Sequence, residues 1–212
     1  MLKYNYLVIE GNIGAGKTTL ATRLAEETGS RLILEQFSDN PFLAKFYADP
    51  DRYAFQLELS FLSERYQQIK RELGHTDLFK QGVTSDYYLA KSFIFSKYNL
   101  KNDEMRLFER LFSIISQHIP RPDLYVYLHV PVEKLLENIK SRGRPYEQSI
   151  RPEYLKEVEA GYFGFFKSQT DLKILVIDTT NIDFVNVESD FRQIKKIILE
   201  GEYTTGTNML IL

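Results

Sequence analysis

Eight consecutive residues, Gly11-Asn12-Ile13-Gly14-Ala15-Gly16-Lys17-Thr18, constrain this chain more than any other part of it, because they fit the pattern G-x-x-x-x-G-K-[ST]. In that spacing glycines let successive backbone N–H groups curl around a phosphate. The lysine reaches the outer phosphate oxygens, and the threonine hydroxyl is placed to ligate Mg²⁺. The segment follows an apolar run, Tyr6-Leu7-Val8-Ile9, and opens a stretch with Leu20 and Leu24 at helical spacing. Strand, loop and helix in this order predict a purine nucleoside triphosphate site made by Gly11, Asn12, Ile13, Gly14, Ala15, Gly16, Lys17, Thr18 and Thr19.

Four further short runs resemble the first: Leu32 to Leu34, Val83-Thr84, Leu124 to Leu128 and Ile174 to Ile177. Between them lie stretches of helical periodicity, such as Tyr53 to Leu73 with Phe55, Leu59, Leu62, Tyr66, Ile69 and Leu73 three and four apart. Others run over Gly16 to Glu27, Met105 to Ile119, Pro131 to Ser141, Pro152 to Ser168 and Asp190 to Leu199. The alternation predicts an α/β fold of the P-loop nucleoside triphosphate hydrolase type: a five-stranded parallel sheet with helices on both faces and a lid. At 212 residues and ~150 per domain, a single domain over 1–212 is expected. The tail, Gly201 to Leu212, is left open between a frayed end, an edge strand and a partner contact.

Lys and Arg number 27 against 29 Asp and Glu, a formal charge of −2, which disfavours a nucleic-acid polymer as partner. No cysteine is present, so disulfides, thiolate metal sites and a cysteine nucleophile are excluded. No run approaches the ~20 apolar residues of a membrane span, and a soluble, cytoplasmic protein without membrane contact is expected. The aromatic count, 14 Tyr and 15 Phe with no Trp, implies a large aromatic core.

A phosphate loop alone does not name a reaction. The fourth run continues into His129-Val130-Pro131-Val132 rather than a guanine-reading Asn-Lys-x-Asp, which disfavours a GTPase. Arg142-Gly143-Arg144, one helix later, suits a mobile lid at about 140–150 that closes over phosphates and stabilises charge in phosphoryl transfer. Arginine suits this task because its planar fork contacts phosphate oxygens in pairs.

Several motifs in order then carry a family resemblance: Ile9 to Thr18, Leu34-Glu35-Gln36, Phe46-Tyr47, Pro50 to Gln56, Arg142 to Ile150, and Asp178 with Asn181 to Phe184. Together they resemble the deoxycytidine, deoxyguanosine and deoxyadenosine kinases over about residues 5–199. The resemblance implies transfer of the ATP γ-phosphate to the 5′-hydroxyl of a deoxynucleoside with Mg²⁺, in nucleotide salvage, by a homodimer. It makes Glu35 the general base; Lys17, Arg142 and Arg144, from the motifs above, and Asp86, from the segment after the third strand, complete the candidate catalytic set. Tyr47 and Glu147 would hold the 3′-hydroxyl, Gln56 the base edge, and Asp183 and Phe184 the adenine of the donor. Apolar faces over Phe55 to Leu73 and Ile94 to Ile115 are candidates for the dimer contact.

The chain departs from the family after the third strand, where Glu-Arg-Ser is usual and Ser85-Asp86-Tyr87-Tyr88 stands instead. Lys91 is a candidate to replace the missing arginine at the substrate, and Asp86, with Thr18, a candidate metal ligand. Ser63 occupies the place of a base-reading arginine in some relatives. Two alternatives stay open: a nucleoside monophosphate kinase of the thymidylate kinase type, disfavoured by Tyr87 where an arginine would bind the acceptor phosphate, and a nucleotide-binding module with weak or no catalysis.

Overall fold

The computed structural model describes residues 3–36, 40–74 and 82–212. Its described residues contain one parallel sheet of six strands: β1 (Tyr6–Gly11), β2 (Arg31–Ile33), β3 (Val83–Ser85), β4 (Leu124–His129), β5 (Lys173–Asp178) and β6 (Gly206–Ile211), in the order β2-β3-β1-β4-β5-β6. The helices are α1 (Lys17–Thr28), α2 (Leu43–Ala48), α3 (Pro50–Gly74), α4 (Ala90–Asn99), α5 (Asn102–Ser116), α6 (Val132–Arg142), α7 (Pro152–Ser168) and α8 (Glu188–Glu200), with one 3₁₀ turn at Pro145–Glu147.

The sixth strand corrects the five-strand expectation. Gly206 to Ile211 pairs in register with Lys173 to Asp178 at the sheet edge. Exposed Thr207, Met209 and Ile211 alternate with half-buried Asn208 and Leu210, so apolar side chains lie on both faces and the sequence carries no period-two pattern. Helix α3 begins at Pro50 rather than Tyr53, as a proline in a first turn favours. Helices α2 and α4 were not separated by sequence periodicity.

Strand parity builds two cores. Leu7 and Ile9, Leu124, Val126 and Leu128, and Leu175 and Ile177 face α1, α6 and α8 through an aliphatic layer with Leu20, Leu24, Leu135, Ile139, Phe191 and Ile194. The opposite parity, Tyr6, Val8, Tyr125, Tyr127, Ile174 and Val176, packs with Leu62, Ile94, Phe108, Tyr162 and Phe166. Rings of Tyr125, Tyr127, Tyr162, Phe163 and Phe166 meet edge-on or tilted at 4.8–5.9 Å in this second layer, which absorbs much of the aromatic excess.

Chain order reverses beside β1, whose neighbours are β3 and β4. A crevice at the carboxyl ends of the strands follows from such a reversal, and there the P-loop, the segment after β2 and the segment after β3 converge.

Candidate active site

The P-loop closes against the rest of the fold through glycine. Gly16 adopts φ 83°, and a Cβ there would lie 2.8 Å from the Phe184 ring, so only glycine fits. At Gly14, φ 87°, a Cβ would lie 2.9 Å from the Leu135 carbonyl, and Asn138 of α6 donates to the Gly14 carbonyl at 2.9 Å. The Asn12 and Ala15 side chains turn inward: Asn12 donates to the Leu155 carbonyl at 2.7 Å, and Ala15 lies in the aliphatic core. What these two offer a phosphate is therefore backbone. Lys17 donates to the Asn12 carbonyl at 2.8 Å, bridging the loop. Burial, and then the charge of Lys91, bring its ammonium down to a pKa of about 8.

Asp86, just past β3, couples this loop to the other side of the crevice. One carboxylate oxygen accepts from the Thr18 hydroxyl at 2.6 Å, the other from the Glu35 backbone N–H at 2.7 Å. Burial raises its pKa.

Glu35, two residues beyond β2, is held by two cations. Arg65 of α3 donates to Oε1 from Nε at 2.8 Å and Nη2 at 2.6 Å, and Lys91 of α4 donates to Oε2 at 2.5 Å. Burial opposes the charge on Glu35, but Lys91 and Arg65 outweigh it and bring the pKa to about 2. Arg65 is 5% exposed and is further held by Ser92 at 2.6 Å. The sequence-based reading missed Arg65. Its signal was phase: Glu58, Arg65 and Gln68 share the buried face with Leu62 and Ile69, and buried charges require partners.

A cavity with about 800 Å³ of empty space, open to solvent, joins these groups. Lys17, Thr18, Glu35, Arg65, Asp86 and Lys91 line it, together with Tyr47, Arg142, Arg144 and Glu147. Arg142 ends α6, Gly143 turns the chain at φ 71°, and Arg144 precedes the 3₁₀ turn that carries Glu147. Both arginines pair with Glu147, Arg144 at 3.2 Å. Tyr47 stacks on Tyr146 with centroids 5.8 Å apart, and burial followed by the Glu147 charge raises its pKa.

Three residues expected at ligands, Gln56, Asp183 and Phe184, do not line this cavity. Gln56 is exposed and does not line the cavity, because α3 turns ~100° per residue and presents Leu57, Glu58, Phe61 and Arg65 instead. Phe184 is 4% exposed and belongs to the aliphatic core behind Gly16, so its ring backs the P-loop. Asp183 accepts from the backbone N–H groups of Val185 and Asn186 and from the Asn186 amide, shaping its own turn at the surface.

Residues 7–200 match the deoxynucleoside kinase family. A deoxyguanosine kinase of Bacillus subtilis (strain 168) is 35% identical over 199 residues, covering 92% of this chain and 96% of that protein. A deoxyadenosine kinase of Dictyostelium discoideum is 33% identical over 199 residues, covering 92% and 79% respectively. Among solved structures, deoxyadenosine kinase from M. mycoides with bound dATP superposes with a TM-score of 0.75 at 23% identity, covering 89% of this chain and 96% of that one, a likeness of fold. A P-loop at a sheet reversal facing a buried carboxylate, and a family match over nearly the whole length, identify the chain as a member of the deoxynucleoside kinase family.

Proposed function

We propose that the chain transfers the γ-phosphate of ATP to the 5′-hydroxyl of a deoxynucleoside, with Glu35 facing that hydroxyl. The observation that carries this reading is the geometry of Glu35, a carboxylate kept ionised in the crevice across from Lys17. An acceptor that already carries a phosphate would meet this carboxylate, whereas Arg65 and Lys91 are engaged by it; this favours a nucleoside over a nucleoside monophosphate.

A base with a pKa of about 2 is a weak proton acceptor near neutrality. Phosphoryl transfer through a loose transition state needs little deprotonation of the nucleophile before the bond to the leaving oxygen has largely broken. Glu35 therefore accepts a hydrogen bond from the 5′-hydroxyl, aims its oxygen at the γ-phosphorus, and takes the proton late. As the new P–O bond forms, the bond to the β-phosphate oxygen breaks and ADP leaves. Lys17 and the P-loop amides hold the phosphates, while Arg142 and Arg144 exchange Glu147 for the transferring group as the lid closes. Tyr47 and Glu147 then hold the 3′-hydroxyl.

The Thr18 hydroxyl and Asp86 carboxylate, 2.6 Å apart, are two hard oxygen donors of the kind Mg²⁺ takes. They would hold the ion, which when bound neutralises phosphate charge. Exposed Leu107 and Ile114 on α5 support a homodimer contact on that face. Among the described residues no helix is long and apolar enough to cross a membrane.

The test is a panel: purified protein, MgATP, four deoxynucleosides and four deoxynucleoside monophosphates, with products separated chromatographically. Phosphorylation of at least one deoxynucleoside is expected. Turnover of monophosphates alone would overturn the acceptor assignment, and nucleotide binding without any turnover would leave a binding module.

A further inference from the structure

Strand β2 stops short of the carboxylate it delivers. Its pairing with β3 ends at Ile33 and Ser85, and the Ile33 carbonyl accepts from the Asp86 backbone N–H at 3.1 Å. The next peptide group, between Leu34 and Glu35, lies past the ladder in half-buried surroundings, where both of its polar atoms still require partners. Side chains from two other segments supply them. Asp86 accepts from the Glu35 N–H at 2.7 Å, and Gln68 of α3 donates from Nε2 to the Leu34 carbonyl at 2.9 Å. One peptide plane, the one that carries Glu35, is thus held at both ends.

Gln68 is itself braced. A carbonyl can only accept, so the amide nitrogen faces Leu34 and Oε1 turns the other way, where it accepts from the Tyr87 hydroxyl at 2.8 Å. Gln68 is 9% exposed and Tyr87 0%, which shields both bonds from exchange with water. Tyr87 follows Asp86 directly, and its carbonyl accepts from the Ser85 hydroxyl at 2.7 Å. Gln68 stands one turn beyond Arg65 on the buried face of α3. A single helix face therefore holds Glu35 twice, Arg65 by the carboxylate and Gln68 by the backbone, and Gln68 is not among the residues that line the cavity. Ion pairs with Arg65 and Lys91 fix the carboxylate oxygens but leave the main chain free to pivot beneath them. Holding the peptide plane removes that pivot.

We propose that Gln68, braced by Tyr87, is a positioning residue for phosphoryl transfer: together with Asp86 it clamps the Leu34–Glu35 peptide and so sets the direction of the Glu35 carboxylate. The inference rests on the assignment of Glu35 to the acceptor hydroxyl, and the experiment reads the clamp both with and without turnover.

Gln68→Leu, Gln68→Glu, Tyr87→Phe and the double variant Gln68→Leu/Tyr87→Phe are compared with wild type by steady-state kinetics on the best deoxynucleoside, each rate being expressed per folded molecule from denaturant melts. Gln68→Leu removes donor and acceptor together and should lower kcat by roughly ten- to a hundredfold, with the KM of either substrate within about twofold. Gln68→Glu keeps a donor and an acceptor when protonated and sets an anion against the Leu34 carbonyl when ionised. Its kcat relative to wild type should therefore fall with rising pH between about pH 5 and about pH 9. Tyr87→Phe should lower kcat less than Gln68→Leu, and should cost nothing more in the Gln68→Leu background, since both act through one peptide. Independently of turnover, the Glu35 amide, followed by NMR hydrogen exchange, should exchange faster in Gln68→Leu while the amides of β1 and β4 keep their wild-type rates.

A wild-type kcat per folded molecule in Gln68→Leu, a Gln68→Glu to wild-type ratio that does not move with pH, additive losses in the double variant, or unaltered exchange at Glu35 overturns the clamp. Wild type that phosphorylates no nucleoside, together with faster Glu35 exchange in Gln68→Leu, supports the clamp and overturns the kinase assignment alone.

Discussion

The donor side of the cavity is a contiguous loop, Gly11 to Thr18, whose glycine conformations and close approaches are local consequences of its own sequence. The acceptor side is assembled from distant pieces: Glu35 follows β2, Arg65 lies 30 residues on in α3, and Lys91 lies 56 residues from Glu35 in α4. Asp86 is the hinge between the two, with one carboxylate oxygen on Thr18 and the other on the Glu35 backbone. A function carried by backbone amides is fixed by a short spacing. One carried by side-chain charge is fixed by which residues the fold buries together, and there a usual family residue can be absent while its charge is supplied from another element. Here Arg65 and Lys91 supply cations at Glu35, where Ser85-Asp86-Tyr87 offers no arginine.

Breaking the carboxylate itself should have the largest effect. Glu35→Gln is expected to reduce kcat by roughly 10² to 10⁴, with MgATP affinity measured by calorimetry unchanged. Equal loss of nucleotide binding would show that the two sides are not separable.

Removing Arg65 should cost stability as well as rate. Arg65→Ala leaves a buried carboxylate with one cation, and breaking such pairs costs about 3–5 kcal/mol. The sign follows from the lowered pKa of Glu35: a carboxylate held near 2 contributes stability that is complete above its unfolded value and is lost as pH falls through 2. The deficit of Arg65→Ala in denaturant melts should therefore be largest above about pH 5 and shrink toward pH 2. A deficit that is constant across this range would assign Arg65 to packing against Phe61, whose ring lies 4.6 Å from the guanidinium, rather than to Glu35.

The same contrast explains what was legible in the sequence. The parallel sheet and the P-loop sit in short segments whose pattern is local, and so do Glu35, Arg142 and Arg144, which the structure brings to one cavity. Arg65 was not found because its neighbours in sequence, Glu64 and Tyr66, make it look like an ordinary polar interruption; only the buried phase of α3 reveals it. The β6 edge strand was ambiguous because apolar side chains lie on both of its faces, so that a threonine- and glycine-containing tail carries no period-two pattern. Phe184 was expected at the adenine of the donor, whereas its ring packs in the aliphatic core, a direction that sequence position does not carry.

On the donor side, the sensitivity to pH runs the other way. Burial and the Lys91 charge lower Lys17 to about 8, so the free protein loses this cation as pH rises through that value. The KM for MgATP is expected to increase above pH 8, by up to tenfold per unit. Lys91→Met should remove the like charge and move that limb upward, while weakening the hold on Glu35 and moving the acid limb of kcat upward too. A substitution on the acceptor side that displaces both limbs in the same direction would identify Lys91 as the electrostatic link between them; a change in the acid limb alone would restrict its action to Glu35.

The smallest effect expected comes from Gln56, the residue that the family resemblance implied for the base edge. Gln56 and Glu58 are two apart on one helix, hence about 200° apart around its axis, and only Glu58 lines the cavity. Gln56→Ala should change kcat/KM by less than twofold for every deoxynucleoside, because its amide is exposed and loses no interaction with a ligand there. Ranking acceptors by kcat/KM for Gln56→Ala and wild type side by side checks this directly. A selective loss for one base would mean that α3 rotates or shifts on binding, bringing Gln56 inward and displacing Glu58, Phe61 and Arg65. Such a motion would also pull Arg65 from Glu35, so it predicts a simultaneous fall in kcat that a passive surface glutamine cannot produce.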